Sequence, residues 1–122
     1  IQGCLMGDLS EHFDRAEFQC ECGCGFDTVD TDLLRILEVI RQHFDRPLRI
    51  NSGCRCADHN ASVGSSTHSQ HRYGRAADIV VDGIDPSLVY ELADNMGIGG
   101  AGEYDTLTHI DSRTNGPARW AG

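Results

Sequence analysis

The second half of the chain contains two histidines and one aspartate whose types and order are those of a zinc site. His71 and Asp78 lie seven residues apart in the segment SQHRYGRAAD (69–78), and His109 follows in LTHID (107–111). A catalytic zinc takes three protein ligands from His, Asp, Glu or Cys and keeps a fourth position open for water. Two neighbouring ligands and one distant ligand are a usual arrangement, so these side chains form a candidate zinc set.

Asp78 stands at the head of an apolar run, residues 79–81, that predicts a buried strand. An isolated charge is very costly to bury, so a carboxylate at this place must be paired or must bind a metal. The residue types alone leave two interpretations open. Asp78 either binds a metal together with His71, or it is satisfied by backbone donors while His71 lies on a loop.

Residue types and spacings around this set resemble a known family. The string Ser69-x-His71-x-x-Gly74-x-Ala76-x-Asp78, followed by His109-x-Asp111, resembles the zinc D-Ala-D-Ala carboxypeptidase family of peptidoglycan peptidases, peptidase family M15. NSGCRCADHNASVG (51–64) is similar to that family's SGYRSPEHNAAVGG segment, and GIGGAGEYDTLTHID (97–111) is similar to its glycine-rich approach to the third ligand. The same zinc architecture occurs in the hedgehog signalling domain, so the fold by itself does not imply peptidase activity.

The resemblance, which covers roughly residues 10–111, implies that the three candidate ligands hold Zn²⁺. Arg55 matches the family's arginine beside the zinc, where a guanidinium can bind the oxyanion or a peptide carboxylate by paired hydrogen bonds. Cys54 and Cys56 replace the aromatic residue and the serine that typically flank this arginine, which changes the local packing. Ser69 matches a family position that hydrogen-bonds near the substrate, and Tyr73 is expected to line the same cleft.

A zinc peptidase also needs a base that takes a proton from the attacking water and returns it to the leaving amine. Part of the family uses a histidine two residues before the third ligand, and other members use a glutamate three residues before it. Here those positions are Leu107 and Thr106. Glu103 resembles the acid of the hedgehog version of the site, so Glu103 is the predicted base and Asp105 is the second choice.

Further residues near the third ligand are expected to support the site. Asp111 is a predicted hydrogen-bond acceptor for a zinc-bound histidine. The sequence Gly99-Gly100-x-Gly102 is not a nucleotide-binding fingerprint, because no helix follows it. It predicts a loop that allows a tight approach to the metal cleft, and Trp120 is expected to cover the edge of the core.

Hydrophobic periodicity predicts two main helices and several short strands. Asp30 or Thr31 can cap a helix over residues 30–44, and Asp85 with Pro86 begins a second helix that ends at Gly97. Strands are predicted near residues 48–50, 79–81 and 107–110, and residues 10–18 predict a turn and a short helix with Phe13 and Phe18 facing inward.

These elements predict an α+β fold, with a small antiparallel sheet that carries the zinc site and helices packed on one side. Residues 1–122 are expected to form a single zinc peptidase-like domain, with 1–9 as a flexible lead. The resemblance implies zinc-dependent hydrolysis of peptidoglycan stem peptides by a carboxypeptidase or an endopeptidase. The resemblance also implies that the protein acts on a cell wall. It would do so in the periplasm, outside the cell, or as a phage endolysin. The alternative is a non-catalytic module that keeps zinc for stability and binds peptidoglycan or signals.

Composition and charge limit the other partners. The net charge is −9, from 19 acidic residues and 10 basic residues that are all Arg. An acidic surface repels phosphate backbones, which argues against nucleic acid as the main partner and against anionic lipid. The sequence contains no apolar run of about 18 residues, so no membrane span is predicted. We expect a monomer.

The six cysteines have an unusual distribution. Three alternate with other residues in CECGC (20–24), two form CRC (54–56), and Cys4 stands alone. Disulfides between the two clusters, a structural zinc held by thiolates, and buried thiols are all compatible with this spacing.

Overall fold

The structure, a computed structural model, describes residues 12–20, 29–53 and 70–122. Within these ranges one sheet contains the strands β1 (Leu48–Ser52), β2 (Ala76–Val81), β3 (Gly100–Glu103), β4 (Thr108–Asp111) and β5 (Ala118–Ala121). Their order across the sheet is β1-β2-β4-β3-β5. Neighbouring strands are antiparallel except β3 and β5, which are parallel. The α+β class is therefore confirmed, in a sheet that is mixed at one edge.

Two helices pack on the sheet, and their starts follow the predicted capping chemistry. The first helix, α1 (Thr31–Phe44), begins where the Asp30 carboxylate accepts a hydrogen bond from the backbone N–H of Leu33. The second, α2 (Pro86–Asn95), begins where Asp85 accepts one from the N–H of Ser87. Each carboxylate satisfies one of the amides that the first turn of a helix leaves without an intrahelical partner.

The core lies between these helices and one face of the sheet, since α1 and α2 contact each other and both contact the strands. Phe13 and Phe18 are buried against the same cluster, as predicted. The other buried apolar side chains of this cluster are Leu33, Leu37, Ile40, Leu48, Ala77, Ile79, Val81, Val89, Ala93, Ile98, Ala101 and Ile110. Because side chains alternate along a strand, the residues between these core positions face the opposite side of the sheet.

Two strands lie where the sequence predicted none. The glycine-rich segment forms β3 rather than a loop, and the C-terminal residues form β5. Glycine is unfavourable in strands because it lacks a side chain to pack, so the pattern favoured a loop. Here the missing Cβ atoms leave room on the face opposite the helices. A Cβ at Gly102 would collide with the Trp120 ring, and one at Gly100 with the Asp111 carboxylate.

Several predictions concern residues outside the described ranges. They include the flexible lead at 1–9, the roles of Arg55 and Ser69, and five cysteines: Cys4, Cys22, Cys24, Cys54 and Cys56. Cys20 is buried, and the three interpretations of the cysteines stay predictions. No helix in the described part of the chain has the length and apolar character needed to cross a membrane.

Candidate metal centre

The candidate ligands meet on the face of the sheet that the helices leave uncovered. Asp78 on β2 and His109 on β4 are directly paired across the two strands, so their side chains project from the same face. His71 comes from a 3-10 turn, Gln70–Tyr73, that immediately precedes β2. One ligand atom from each side chain lies within 4.8 Å of the other two. The structure thus brings together the three residues that the sequence proposed.

His71 is oriented by a backbone carbonyl. Its Nδ1 donates a hydrogen bond of 2.6 Å to the carbonyl oxygen of Gly53, and the residue is only 3% exposed. A carbonyl can only accept, so the proton lies on Nδ1 and the lone pair lies on Nε2. Nε2 is 3.4 Å from Oδ1 of Asp78. The imidazole therefore presents a ligand atom toward the carboxylate and cannot easily rotate away from it.

His109 is oriented by a second carboxylate. Its Nδ1 lies 2.9 Å from Oδ1 of Asp78, and its Nε2 lies 2.9 Å from Oδ2 of Asp111. Asp111 is fully buried and accepts two further bonds from the Arg113 guanidinium, at 2.9 and 2.7 Å. Histidines that bind metal usually donate their other N–H to a carboxylate or carbonyl, which fixes the ring and raises its basicity. Asp111 makes the contact that the sequence predicted for it.

The separation of the ligand atoms fits a tetrahedral zinc. Two atoms bound at about 2.0–2.2 Å to one tetrahedral ion lie roughly 3.4 Å apart. The distance from His71 Nε2 to Asp78 Oδ1 is 3.4 Å, and that from His109 Nδ1 to the same oxygen is 2.9 Å. The first distance already suits the ion, and the second needs a shift of about half an ångström. Two neutral imidazoles, one carboxylate and a fourth open position are also a typical donor set for catalytic zinc.

The electrostatics agree with this geometry. Burial would raise the pKa of Asp78, but its hydrogen bonds with His109 and His71 outweigh burial and hold that pKa well below its usual value. Asp111 behaves in the same way, since its bonds with His109 and Arg113 outweigh burial and lower its pKa. Burial opposes the charged form of His109, yet Asp111 and Asp78 together raise its pKa. Both carboxylates are thus ionised at neutral pH, as binding to a cation requires.

Trp120, which the sequence did not place at the site, lies against the third candidate ligand, His109. The Trp120 ring lies 4.9 Å from that of His109, and the Arg113 guanidinium lies 5.5 Å from the centre of the indole. Trp120 Nε1 donates a hydrogen bond of 2.7 Å to the hydroxyl of Tyr104. Trp120 therefore covers the metal face, not the edge of the core. The sequence alone could have placed Arg113 near the site, because residues 109, 111 and 113 alternate with the buried Ile110 and so share one face.

The pairing register separates Glu103 from the three ligands. Glu103 pairs with Thr108, whereas the adjacent Gly102 pairs with His109. Thr108 is buried, and its hydroxyl donates to the carbonyl of Pro86 at the start of α2. By alternation, the Glu103 side chain leaves the sheet on the helix side, at the last pair of β3. Asp105 lies exposed in the turn between β3 and β4.

Tyr73 is half exposed and lines a cleft of about 540 Å³ beside the turn that carries His71. The described residues that line it with Tyr73 are Gln70, Arg75, Arg113, Thr114 and Asn115. The cleft and one of the three candidate ligands, His71, therefore share the same short turn.

The sequence of this chain is similar to that of a known protein family over most of its length. The family model described as Peptidase M15 matches residues 11–111 of this chain. The matched range includes all three candidate ligands, Asp111 and the glycine-rich strand. No curated protein matches the sequence.

Proposed function

Because the chain belongs to the peptidase M15 family, we propose that it is a zinc-dependent peptidase that hydrolyses peptide bonds in peptidoglycan stem peptides. The mode is that of a D-Ala-D-Ala carboxypeptidase or of an endopeptidase. The observation that carries the proposal is the cluster of His71, Asp78 and His109, in which both imidazoles are held by hydrogen bonds with their remaining ring nitrogens. These hydrogen bonds direct the other ring nitrogen of each histidine toward the Asp78 carboxylate, so the three donor atoms face one point.

Each residue has a part in the proposed mechanism. His71 through Nε2, His109 through Nδ1 and Asp78 through a carboxylate oxygen would hold Zn²⁺, which would supply Lewis-acid activation of water when bound. Asp111 keeps the proton on Nε2 of His109, so that Nδ1 stays available as a ligand. Tyr73 lines the cleft that adjoins the His71 turn. By the family resemblance, Arg55 binds the developing oxyanion or a substrate carboxylate, and Ser69 binds the substrate.

The proposed general base is a carboxylate at the end of β3 or in the turn that follows it. Glu103 stays the predicted base, but its register requires that the carboxylate turn round the end of β3 to reach the ligand face. Asp105 is the second choice and lies in the exposed turn that follows. Replacement of each carboxylate by the matching amide removes the base and keeps the shape of the side chain.

The test measures zinc content and cleavage of purified peptidoglycan for the wild type, Glu103→Gln and Asp105→Asn. Glu91→Gln and Asp82→Asn are matched controls, because both residues are exposed and remote from the ligands in the fold. We expect one zinc per chain, cleavage by the wild type and by both controls, and a loss of about 10²-fold or more in the variant that lacks the base. If neither variant loses activity, the base is a residue other than Glu103 or Asp105.

The register of Glu103 favours one alternative, a non-catalytic module that keeps zinc for stability and binds peptidoglycan or signals. This alternative predicts one zinc per chain and no cleavage by any variant, even at high protein concentration. A protein that retains no zinc while the three ligands are intact would contradict both functions.

A further inference from the structure

The cleft beside the His71 turn has a charge opposite to that of the protein. Its described lining contains two arginines, Arg75 and Arg113, and no acidic residue, although the chain carries a net charge of −9. The remaining lining residues provide amide, hydroxyl and phenol groups. A volume of about 540 Å³ is within the usual range of small-ligand sites. The cleft thus suits an anionic group that is also a hydrogen-bond acceptor.

Both guanidinium groups have donors available for a ligand. Arg75 is exposed, and its side chain makes no hydrogen bond or ion pair with the described residues. Arg113 uses Nε and Nη2 to bind Asp111, and its Nη1 makes no bond within the described ranges. Asp111 holds this guanidinium in place and raises its pKa. Arg113 is therefore held in place at the cleft by Asp111, and Arg75 is an exposed cation in the lining.

The cleft is connected to the candidate ligands on two sides. Arg75 precedes Asp78 by three residues, and Arg113 follows His109 by four. The backbone N–H of Ser112 donates to the carbonyl of Arg75, which joins the two segments. Arg75 stands one residue before β2, and at about 3.3 Å per residue its Cα lies roughly 10 Å from that of Asp78. Of the two arginines that line the cleft, Arg113 is the one on the face of His109 and Asp111. An extended peptide with its scissile bond at the ligands would reach the cleft with a group two to three residues away.

We propose that this cleft is a specificity subsite that binds the free α-carboxylate of the glutamate in a peptidoglycan stem peptide through Arg75. The inference rests on the proposed function and names its substrate more closely. With the scissile bond at the D-alanine end of a stem peptide, that carboxylate lies two to three residues away. A guanidinium binds a carboxylate by charge-assisted hydrogen bonds, which a neutral carboxamide replaces poorly.

The experiment compares two stem pentapeptides that differ only in the glutamate α-group, a free carboxylate in one and a carboxamide in the other. The zinc-loaded wild type, Arg75→Gln and Arg35→Gln are assayed with both. Arg35 is the matched control, since its exposed side chain on α1 pairs only with the neighbouring Asp32 among the described residues. Uncleavable N-methylated forms of the two peptides are titrated by calorimetry to measure binding without turnover.

We expect the wild type and Arg35→Gln to prefer the carboxylate peptide, and Arg75→Gln to lose that preference. In Arg75→Gln we expect the KM for the carboxylate peptide to rise roughly tenfold or more, which is the effect of losing one charge-assisted hydrogen bond. We expect kcat to stay nearly unchanged. A preference that survives in Arg75→Gln, or a wild type without any preference, would overturn the subsite. If no peptide is cleaved, the proposed function fails, and the calorimetric preference still decides the subsite. Absence of binding by either peptide overturns both.

Discussion

At the scale of single residues, the two ring nitrogens of His109 have different partners. Nδ1 faces Asp78, and Nε2 is bound by Asp111, which Arg113 holds in turn. These contacts fix the ring before any metal binds. Metal binding therefore does not have to order a flexible imidazole, which would weaken the affinity.

Replacement of Asp111 by Asn tests this chain. The amide keeps the size of the side chain but removes the negative charge that orients His109 and binds Arg113. We expect zinc affinity to fall about 10–100-fold, as measured by competition with a chromophoric chelator. Asp32→Asn removes the same charge from the exposed surface of α1 and should leave affinity unchanged. Equal affinities in the two variants would contradict the role of Asp111.

The sequence predicted which three side chains meet at the site better than it predicted their surroundings, and the reason is geometric. His71, Asp78 and His109 are rare residue types in a spacing that the family resemblance makes specific. Tyr104 and Trp120 are ordinary residues whose role depends on the β3–β5 pairing, which brings together segments far apart in the chain. Glu103 shows the same limit, because its face of the sheet is set by a register that spacing does not determine.

At the scale of elements, the glycines of β3 create the space that the site occupies. A Cβ on Gly102 would lie 2.5 Å from Cε2 of Trp120, whose ring is enclosed by His109, Arg113 and Tyr104. The ring cannot move away cheaply, since it contacts neighbours on several sides. Only glycine therefore fits opposite this tryptophan.

Gly102→Ala is expected to displace Trp120 and to lower stability by about 1–3 kcal/mol. Trp120 is the only tryptophan in the chain, so its fluorescence reports the displacement directly. We expect emission at longer wavelength and a lower denaturant midpoint. Gly97→Ala is the comparison, because a Cβ there meets no atom within 4 Å and only the positive φ of 73° opposes it. An unchanged emission spectrum for Gly102→Ala would show that the ring does not occupy this place.

Gly53, at the other side of the site, contacts both Phe18 and His71. Gly53 follows β1, and a Cβ on it would lie 2.7 Å from Cα and 2.8 Å from the carbonyl oxygen of Phe18. The same residue supplies the carbonyl that orients His71. Gly53→Ala should therefore lower both stability and zinc affinity, whereas Gly97→Ala should cost only the strain of a left-handed residue, about 1 kcal/mol. Chemical denaturation and chelator competition on both variants separate the two effects, and a Gly53→Ala protein with normal zinc affinity would contradict the coupling.

Local chemistry explains which elements could be predicted. The helices α1 and α2 combine an apolar stripe with an aspartate cap, and both signals lie within the helix itself. The strands β3 and β5 are only four residues each, and Trp120 is their only residue of a type enriched in strands. Most of the others are Gly, Ala or Glu, which are depleted in strands. Their formation depends on backbone pairing with β4 and with each other, and no local pattern contains that information.

At the scale of the whole molecule, the cleft proposed to bind the substrate is a locally cationic region of an acidic protein. Nineteen acidic and ten basic residues make the surface acidic on average, yet the described lining of the cleft contains only arginine among charged residues. An acidic surface repels polyanions in general, and a local cationic cleft admits a carboxylate of fitting size. The distribution of charge thus favours a small acidic peptide over a nucleic acid.

Zinc should stabilise the whole fold more strongly as the pH rises. The pKa of His109 is raised in the metal-free protein, although burial opposes this, because Asp111 and Asp78 bind the protonated ring. The bonds of the protonated ring stabilise the metal-free fold. This stabilisation is fully present below about pH 6.5, the ordinary histidine pKa, and is lost as the pH rises through the raised pKa of His109. Zinc requires Nδ1 without its proton, so protons compete with the metal below the same pKa. The lowered pKa values of Asp78 and Asp111 affect stability only in more acidic solution.

The measurement is the melting temperature of zinc-loaded and chelated protein at pH 6, 7 and 8. The difference between the two forms at each pH cancels the titration of groups remote from the site. One proton displaced by zinc changes binding by up to about 1.4 kcal/mol per pH unit, which corresponds to roughly 4 °C for a chain of this size. We expect the zinc-induced rise in melting temperature to increase from pH 6 to pH 8. A rise that is the same at all three values would mean that zinc displaces no proton, and would contradict binding through Nδ1 of His109.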